Sequence, residues 1–180
     1  MTSNVFFLFL MGIMLSCNII YQKMIEQIYT YFTIEMIFMW LNLGVLPFWI
    51  ILIIFPQSQI CRVFIASIFP IFILSLAYGY LLYLFFNEGY DFIRNFELYL
   101  GLNAVSDLFA DKNFIILFWT HFLALNLFCG GWIVRDSQKF GVNKILISLP
   151  LLITYFIGPI GITLYWVIRI FYAKRINLYD

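Results

Sequence analysis

His121 is the only histidine of the chain, and it lies inside an apolar run, "WTHFLALNLFCGGWIV", from Trp119 to Val134. An imidazole titrates near neutral pH, so within a membrane it can pass a proton or hold a neighbouring helix by a hydrogen bond. Glu35 and Tyr155, on other apolar runs, are the groups that could complete a relay if the helices bring them together. The catalytic expectation therefore rests on His121 and Glu35, with an interfacial or merely hydrogen-bonded carboxylate as the plain alternative for Glu35. Asn126 sits deeper in the same run as His121. An unpartnered polar group in hydrocarbon is expensive, about 2.5–3.5 kcal/mol for a charge at the helix centre by insertion scales. Such residues either hold helices together or do chemistry.

Asn42, Trp49, Asn126, Trp132 and Tyr155 are the candidate ligand-lining positions. Aromatic residues make up 22% of the chain, and flat rings on inner helix faces suit a long apolar ligand. Their structural alternative is a set of interfacial belts and fillers. One histidine and scattered acids do not make a zinc or di-iron set, and Cys17, Cys61 and Cys129 are dispersed. No metal and no cofactor is expected. No nucleophile motif or phosphate-binding loop is visible, and a net charge of +1 gives no reason to expect nucleic acid.

The elements that must position these residues are helices. The chain has 180 residues, 64% hydrophobic and 11% charged, with a mean hydropathy of +0.99. Several apolar runs exceed the roughly 18 residues that mark a membrane span, and they are continuous rather than alternating, which excludes a barrel. The fold class is all-α: a polytopic helical membrane bundle with four core transmembrane helices over about 31–55, 63–86, 113–134 and 145–171. Residues 1–30 are a hydrophobic N-terminal extension with a further apolar helix over 4–21; 31–171 is the bundle, and 172–180 is a polar tail. The multi-pass arrangement points to a bacterial inner membrane or an organellar membrane, with the lipid bilayer as the first partner.

Residues 87–112 are the longest polar segment and carry Glu88, Asp91, Glu97, Asp107 and Asp111. Leu98, Leu102, Val105 and Phe109 form one stripe, which predicts a short amphipathic helix between Phe96 and Ala110 capping the bundle. Pro47, Pro70, Pro150 and Pro159 fall inside spans, where each removes a backbone donor and favours a kink. "GPIG", Gly158 to Gly161, implies a break or kink in the last span. Arg169 is expected to snorkel to the interface with Lys174 and Arg175. Across four alternating spans, Lys23, Arg94, Lys112, Arg169, Lys174 and Arg175 fall on the C-terminal side, against Arg62, Arg135, Lys139 and Lys144. The balance leans towards a cytoplasmic C-terminus.

At 100° per residue, Phe118, His121, Leu125, Phe128 and Trp132 share a broad face of the fourth span. Trp119 points away from it, and Asn126 lies about 140° from His121.

"THFLALNLFCGGWIVRDS" resembles the signature of the neoxanthin-synthase-like (abscisic-acid-deficient-four-like) family of small membrane proteins. His121, Leu123, Ala124, Leu127, Phe128, Gly130, Trp132 and Asp136 fit that pattern, and "LPFWIILIIFP" and "GPIGITLYWVIR" agree in order. The resemblance covers roughly residues 34–170. It implies a four-helix membrane core and, in plants, a role in converting violaxanthin to neoxanthin. That isomerisation needs an acid at an epoxide oxygen and a base at a carbon-bound proton, without a redox cofactor; His121 is the candidate for one role. The chain departs from the pattern at two positions. Asn126 stands where the family has aspartate and Gly131 where it has arginine, so a titratable group and a cation that could pair with it are replaced together.

Three readings follow. The first is a membrane protein that binds or isomerises a carotenoid-like or other lipidic polyene, with His121 and an acid converging on one lipid-accessible cleft. The second is a non-catalytic membrane scaffold or assembly protein. The third is a small proton-coupled transporter using His121 and Glu35.

Overall fold

The computed structural model describes residues 14–16, 18–27, 31–65 and 67–174. They fall into two compact units, divided between Trp40 and Leu41. In the first unit residues 18–27 (α1) are helical. The apolar helix expected over 4–21 lies largely outside the described residues, as do Cys17, Arg175 and the end of the tail. α2, Ile34–Ile54, starts in this unit with Glu35 in its first turn, and the Thr33 hydroxyl accepts the Met36 N–H at 3.3 Å to cap it.

The second unit holds the rest of α2, a π-helical turn Cys61–Ile65, α3 (Phe69–Asn87), a 3-10 segment Phe92–Tyr99, α4 (Leu102–Leu108), α5 (Lys112–Lys139), α6 (Lys144–Phe156) and α7 (Gly158–Ala173). The all-α expectation holds. α2, α3 and α5 are long and apolar enough to cross a membrane. Half of the most apolar stretch of α5 is buried, against 28% and 22% in α2 and α3, so α5 is the hub of the bundle.

Side chains fix the directions. Trp119 Nε1 donates to Asn42 Oδ1 at 3.0 Å, a Cβ at Gly130 would lie 2.8 Å from the Trp49 ring, and Gln138 Nε2 donates to the Pro56 carbonyl at 2.6 Å. The contacts advance together, so α2 runs parallel to α5. α3 runs the other way, starting near the C-terminal end of α5 and ending where Arg94 approaches Asp111 at 3.6 Å. Asp111 caps α5 by accepting the Asn113 N–H at 2.9 Å. At the far end Gly141, at φ +63°, lets the chain leave the helix: the Val142 N–H reaches back to the Ser137 carbonyl at 2.9 Å and that of Gly141 to Gln138 at 3.3 Å, a Schellman closure.

The last apolar run is not one span. Pro159 has no N–H, so the Tyr155 carbonyl, four residues earlier, loses its helical donor. The helix stops at Phe156, Ile157 is extended (φ −139°, ψ 81°), and α7 restarts at Gly158 with Pro159 in its first turn, where a missing N–H does no harm. The chain doubles back so tightly that a Cβ at Gly161 would overlap the Thr154 backbone. Gly158 then lies against Asn126, half-way along α5, while Arg169 meets Asp136 near its end. α7 therefore returns to the side from which α6 set out. With 13 and 16 residues, the two helices are about 20 and 24 Å long, short of the ~30 Å hydrocarbon core. The expected fourth span is a helical hairpin, and the described residues hold three membrane-length helices plus that hairpin.

This changes the charge map. Arg62, Arg135, Lys139, Lys144, Arg169 and Lys174 gather at one end of the second unit. Glu88, Asp91, Glu97, Asp107 and Asp111 gather at the other, with Arg94 and Lys112. Arg169 does not snorkel; it is 1% exposed. The amphipathic segment is also corrected. Gly101, at φ +135°, breaks it after the 3-10 segment, and α4 is a short separate helix that buries only Leu108.

In a variant without its native cysteines, reconstituted in sealed vesicles, a membrane-impermeant maleimide should label Lys144→Cys and Lys174→Cys from the same side and Glu88→Cys from the opposite one. Labelling of positions 144 and 174 from opposite sides would restore a fourth span.

Candidate functional site

Two polar pins hold the hairpin against α5. At its tip, Asn126, 6% exposed, donates from Nδ2 to the Tyr155 carbonyl at 3.5 Å. That is the acceptor Pro159 leaves unserved, and leaving a buried carbonyl unsatisfied costs about 1–3 kcal/mol. Gly158 is required beneath it, because a Cβ there would overlap Asn126 Oδ1. Trp49 closes the cluster, edge-on to the Tyr155 ring at 5.4 Å between centroids. The structure thus brings together Trp49, Asn126 and Tyr155, three of the expected ligand positions, and fills the space between them with one another.

The second pin lies at the basic end. Arg169 Nε donates to Asp136 Oδ2 at 2.8 Å, and the Tyr165 hydroxyl donates to the same oxygen at 2.6 Å. Tyr165 and Arg169 sit four residues apart on one face of α7, which lets both reach one carboxylate. The Arg169 guanidinium also stands over the Phe140 ring, 4.7 Å from its centroid. Trp132 packs edge-on to Tyr165 at 5.6 Å. Two donors, one of them charged, converge on the one Asp136 oxygen.

Asp136 borders a cavity of about 690 Å³ between the start of α3 and the C-terminal half of α5. Ile65, Ile68, Ile71, Leu127, Phe128 and Trp132 make its apolar wall, and Arg135, Asp136 and Lys139 cluster towards one end. Gly131 lies in the wall between the two parts. The volume is within the ~300–1,000 Å³ of small-molecule sites, and the mix of greasy wall and a few polar groups is their usual composition. The arrangement can seat an extended apolar molecule with an oxygenated end against a fixed anion and two cations.

The other expected positions fall elsewhere. His121 is exposed on the outer face of α5, with Phe118 and Leu125, and does not line this cavity. Glu35 is exposed in the first turn of α2, within the first unit. Asn42 is engaged by Trp119, so Trp119 looks inward, opposite to His121. Of the expected ligand positions only Trp132 borders the cavity. Asp136, Tyr165 and Arg169 had gone unremarked as a group. Their signals were the aspartate closing the helix motif and the i, i+4 pair on the last run, but only the reversal of α7 makes them meet. Asn126 and Gly131, the two departures, face different neighbours: Asn126 the hairpin tip, Gly131 the cavity.

The sequence pattern of the family described as ABA DEFICIENT 4-like matches residues 36–165. A curated relative, the Protein ABA DEFICIENT 4, chloroplastic, of Arabidopsis thaliana, is 25% identical over 129 residues. The alignment covers 70% of this chain and 57% of the relative, so the chain spans little more than half of that protein's length. No solved structure matches the chain significantly.

Removing one partner from a buried ion pair strands the other, at about 3–5 kcal/mol. Arg169→Ala should lose about that much in detergent unfolding, and Tyr165→Phe about 1.5–3 kcal/mol as a lost hydrogen bond to a charged group. The coupled replacement Asp136→Leu with Arg169→Met should lose less than Arg169→Ala alone; a larger loss would mean the pair stabilises on its own account. Asn126→Asp should also destabilise at neutral pH, because an ionised carboxylate only accepts and would face the Tyr155 carbonyl.

Proposed function

Since the chain belongs to the ABA DEFICIENT 4-like family, we propose that it is an integral membrane protein that binds a carotenoid-like or other polyene lipid in the cleft between α3 and α5. The observation that carries the reading is the cleft itself: an apolar trough of about 690 Å³ with the Asp136 carboxylate fixed at its edge. The polyene chain would lie along Ile68, Ile71, Leu127 and Phe128, its ring over Trp132, and its oxygenated end at Asp136, Arg135 and Lys139. Gly131 matters here because a larger residue would project from the wall where the chain must pass.

Should the bound lipid be isomerised, the two roles needed are a base that takes a carbon-bound proton and an acid that gives a proton to the opening epoxide oxygen, which stays on its other carbon as a hydroxyl. Asp136, oriented by Arg169 and Tyr165, suits the first. The Lys139 ammonium suits the second, with Arg135 stabilising the charge that develops on the oxygen. The roles first expected of His121 and Glu35 move to this constellation.

A second reading is an assembly or scaffold protein. It is favoured by the exposed outer face of α5, where His121 stands between Phe118 and Leu125; an ionisable group in that position marks a partner surface as readily as a reaction site.

Purified from a carotenoid-producing host, the protein should carry a visible absorption band that is absent from a non-producing host. Gly131→Leu should reduce the bound pigment by about tenfold or more, the equivalent of ~1.4 kcal/mol of overpacking. A colourless protein from the producing host overturns the polyene reading. Loss of pigment in His121→Ala, with pigment intact in Gly131→Leu, would move the site to the outer face of α5.

A further inference from the structure

A second cavity, of about 560 Å³, lies at the basic end between the turn joining α2 to α3 and the turn joining α5 to α6. It is lined by Gln57, Arg62, Ser137, Gln138, Asn143 and Lys144, among others, and is polar where the cleft is apolar. Arg62 comes from one turn and Lys144 from the other, so the two cations converge from separate parts of the chain.

Among the described residues, no carboxylate lines this cavity. The sequence explains why: there is no acid between Glu35 and Glu88, and from Lys112 to Tyr179 the only one is Asp136. Asp136 is turned to Arg169 and Tyr165, so it does not offset Arg62 or Lys144. Ser137 Oγ and Gln138 Nε2 donate elsewhere, to the Val134 and Pro56 carbonyls, so the neutral donor for the cavity is Asn143. Asn143 accepts the Ile145 N–H through Oδ1, which leaves its Nδ2 amide as a donor. The place matters too. Both turns follow the ends of membrane-length apolar helices, the depth at which lipid headgroups lie, and basic pockets between helices at that depth take anionic headgroups.

We propose that this cavity binds a phosphate group, with an anionic membrane lipid as its carrier. Arg62 and Lys144 grip the phosphate oxygens from opposite turns, Arg62 with the planar fork that suits them, and the Asn143 amide adds a neutral donor. The proposal is independent of the polyene reading, since it uses a different cavity and different side chains.

The test is lipid retention by the full chain. Reconstituted in bilayers of phosphatidylcholine containing a minor share of phosphatidylglycerol, then extracted mildly, the protein should retain phosphatidylglycerol well above its bulk share. Each cation beside an anionic surface is worth about a fivefold change in binding, so Arg62→Gln with Lys144→Gln should lower the enrichment by about 25-fold, or to the bulk ratio. Arg94→Gln, at the opposite end, should leave it unchanged. Arg62 and Lys144 are exposed and Arg94 is half-buried, and a matching thermal unfolding midpoint will show that each variant is folded.

The second arm adds inorganic phosphate to the lipid-free protein in detergent. Enrichment of phosphatidylglycerol that persists in phosphate buffer supports the lipid as carrier. Stabilisation by phosphate that disappears in the double variant, without headgroup enrichment, supports the same phosphate site with a soluble source. Equal retention by wild type and double variant, or neither enrichment nor phosphate stabilisation, overturns the proposal.

Discussion

The Asp136 carboxylate is the group on which the second unit depends. It accepts from Arg169 and Tyr165 on α7, and it also borders the larger cavity on the α3 side of α5. One oxygen therefore joins the hairpin to the hub helix, and the same side chain forms part of the cleft. Arg169 is 1% exposed, with that oxygen 2.8 Å from its Nε and the Phe140 ring centroid 4.7 Å from its guanidinium. Asn126 makes the complementary attachment ten residues earlier, about 15 Å along the helix. With the tip held at Asn126 and the return strand of the hairpin held at Asp136, α7 can neither slide along α5 nor rotate on it.

A buried ion pair is a poor source of net stability, because removing both charges from water offsets most of what their attraction returns. Its value here is placement. α6 and α7 are apolar on nearly every side, and apolar surfaces slide past one another with little change in energy. The hairpin lacks the length that would hold a spanning helix in register with the membrane. A charged pin at one end and an amide at the other select one register, and that register gives the cleft its edge.

Much of this fold could be read from the sequence, and the rest failed for identifiable reasons. The apolar runs gave the helices, and Gly158 with Pro159 marked the break in the last one. The direction taken after the break was not legible, because a kinked span and a reversal share the same local signal. What decides between them is a close approach between Thr154 and Gly161 and two polar contacts to α5. The misreading of Arg169 as an interfacial anchor followed from assuming a span. The exposed face of α5 was legible as a face, through Phe118, His121 and Leu125, but its direction was not: an apolar stripe reads the same whether it meets a helix or lipid. In the polar segment the stripe from Leu98 to Phe109 is real in sequence, yet Gly101 takes a backbone conformation that no amphipathic count registers.

α5 itself explains why charge and apolar wall can share one site. Its 28 residues make a rod of about 42 Å, some 12 Å longer than the hydrocarbon core. If Asn126, near its middle, sits at the bilayer centre, the overshoot is divided between the two ends, and the turn carrying Arg135 to Lys139 lies at the headgroup level. Cations there keep contact with water while the residues one and two turns earlier, Phe128 and Trp132, are still within the apolar layer. The same turn sorts its side chains between two cavities, Arg135, Asp136 and Lys139 to the cleft and Ser137 and Gln138 to the polar cavity. Because successive residues of a helix point 100° apart, one turn can serve both chambers. A rotation of α5 by one residue would exchange what the two chambers present, and the Trp119–Asn42 and Gln138–Pro56 bonds to α2 oppose that rotation from either end.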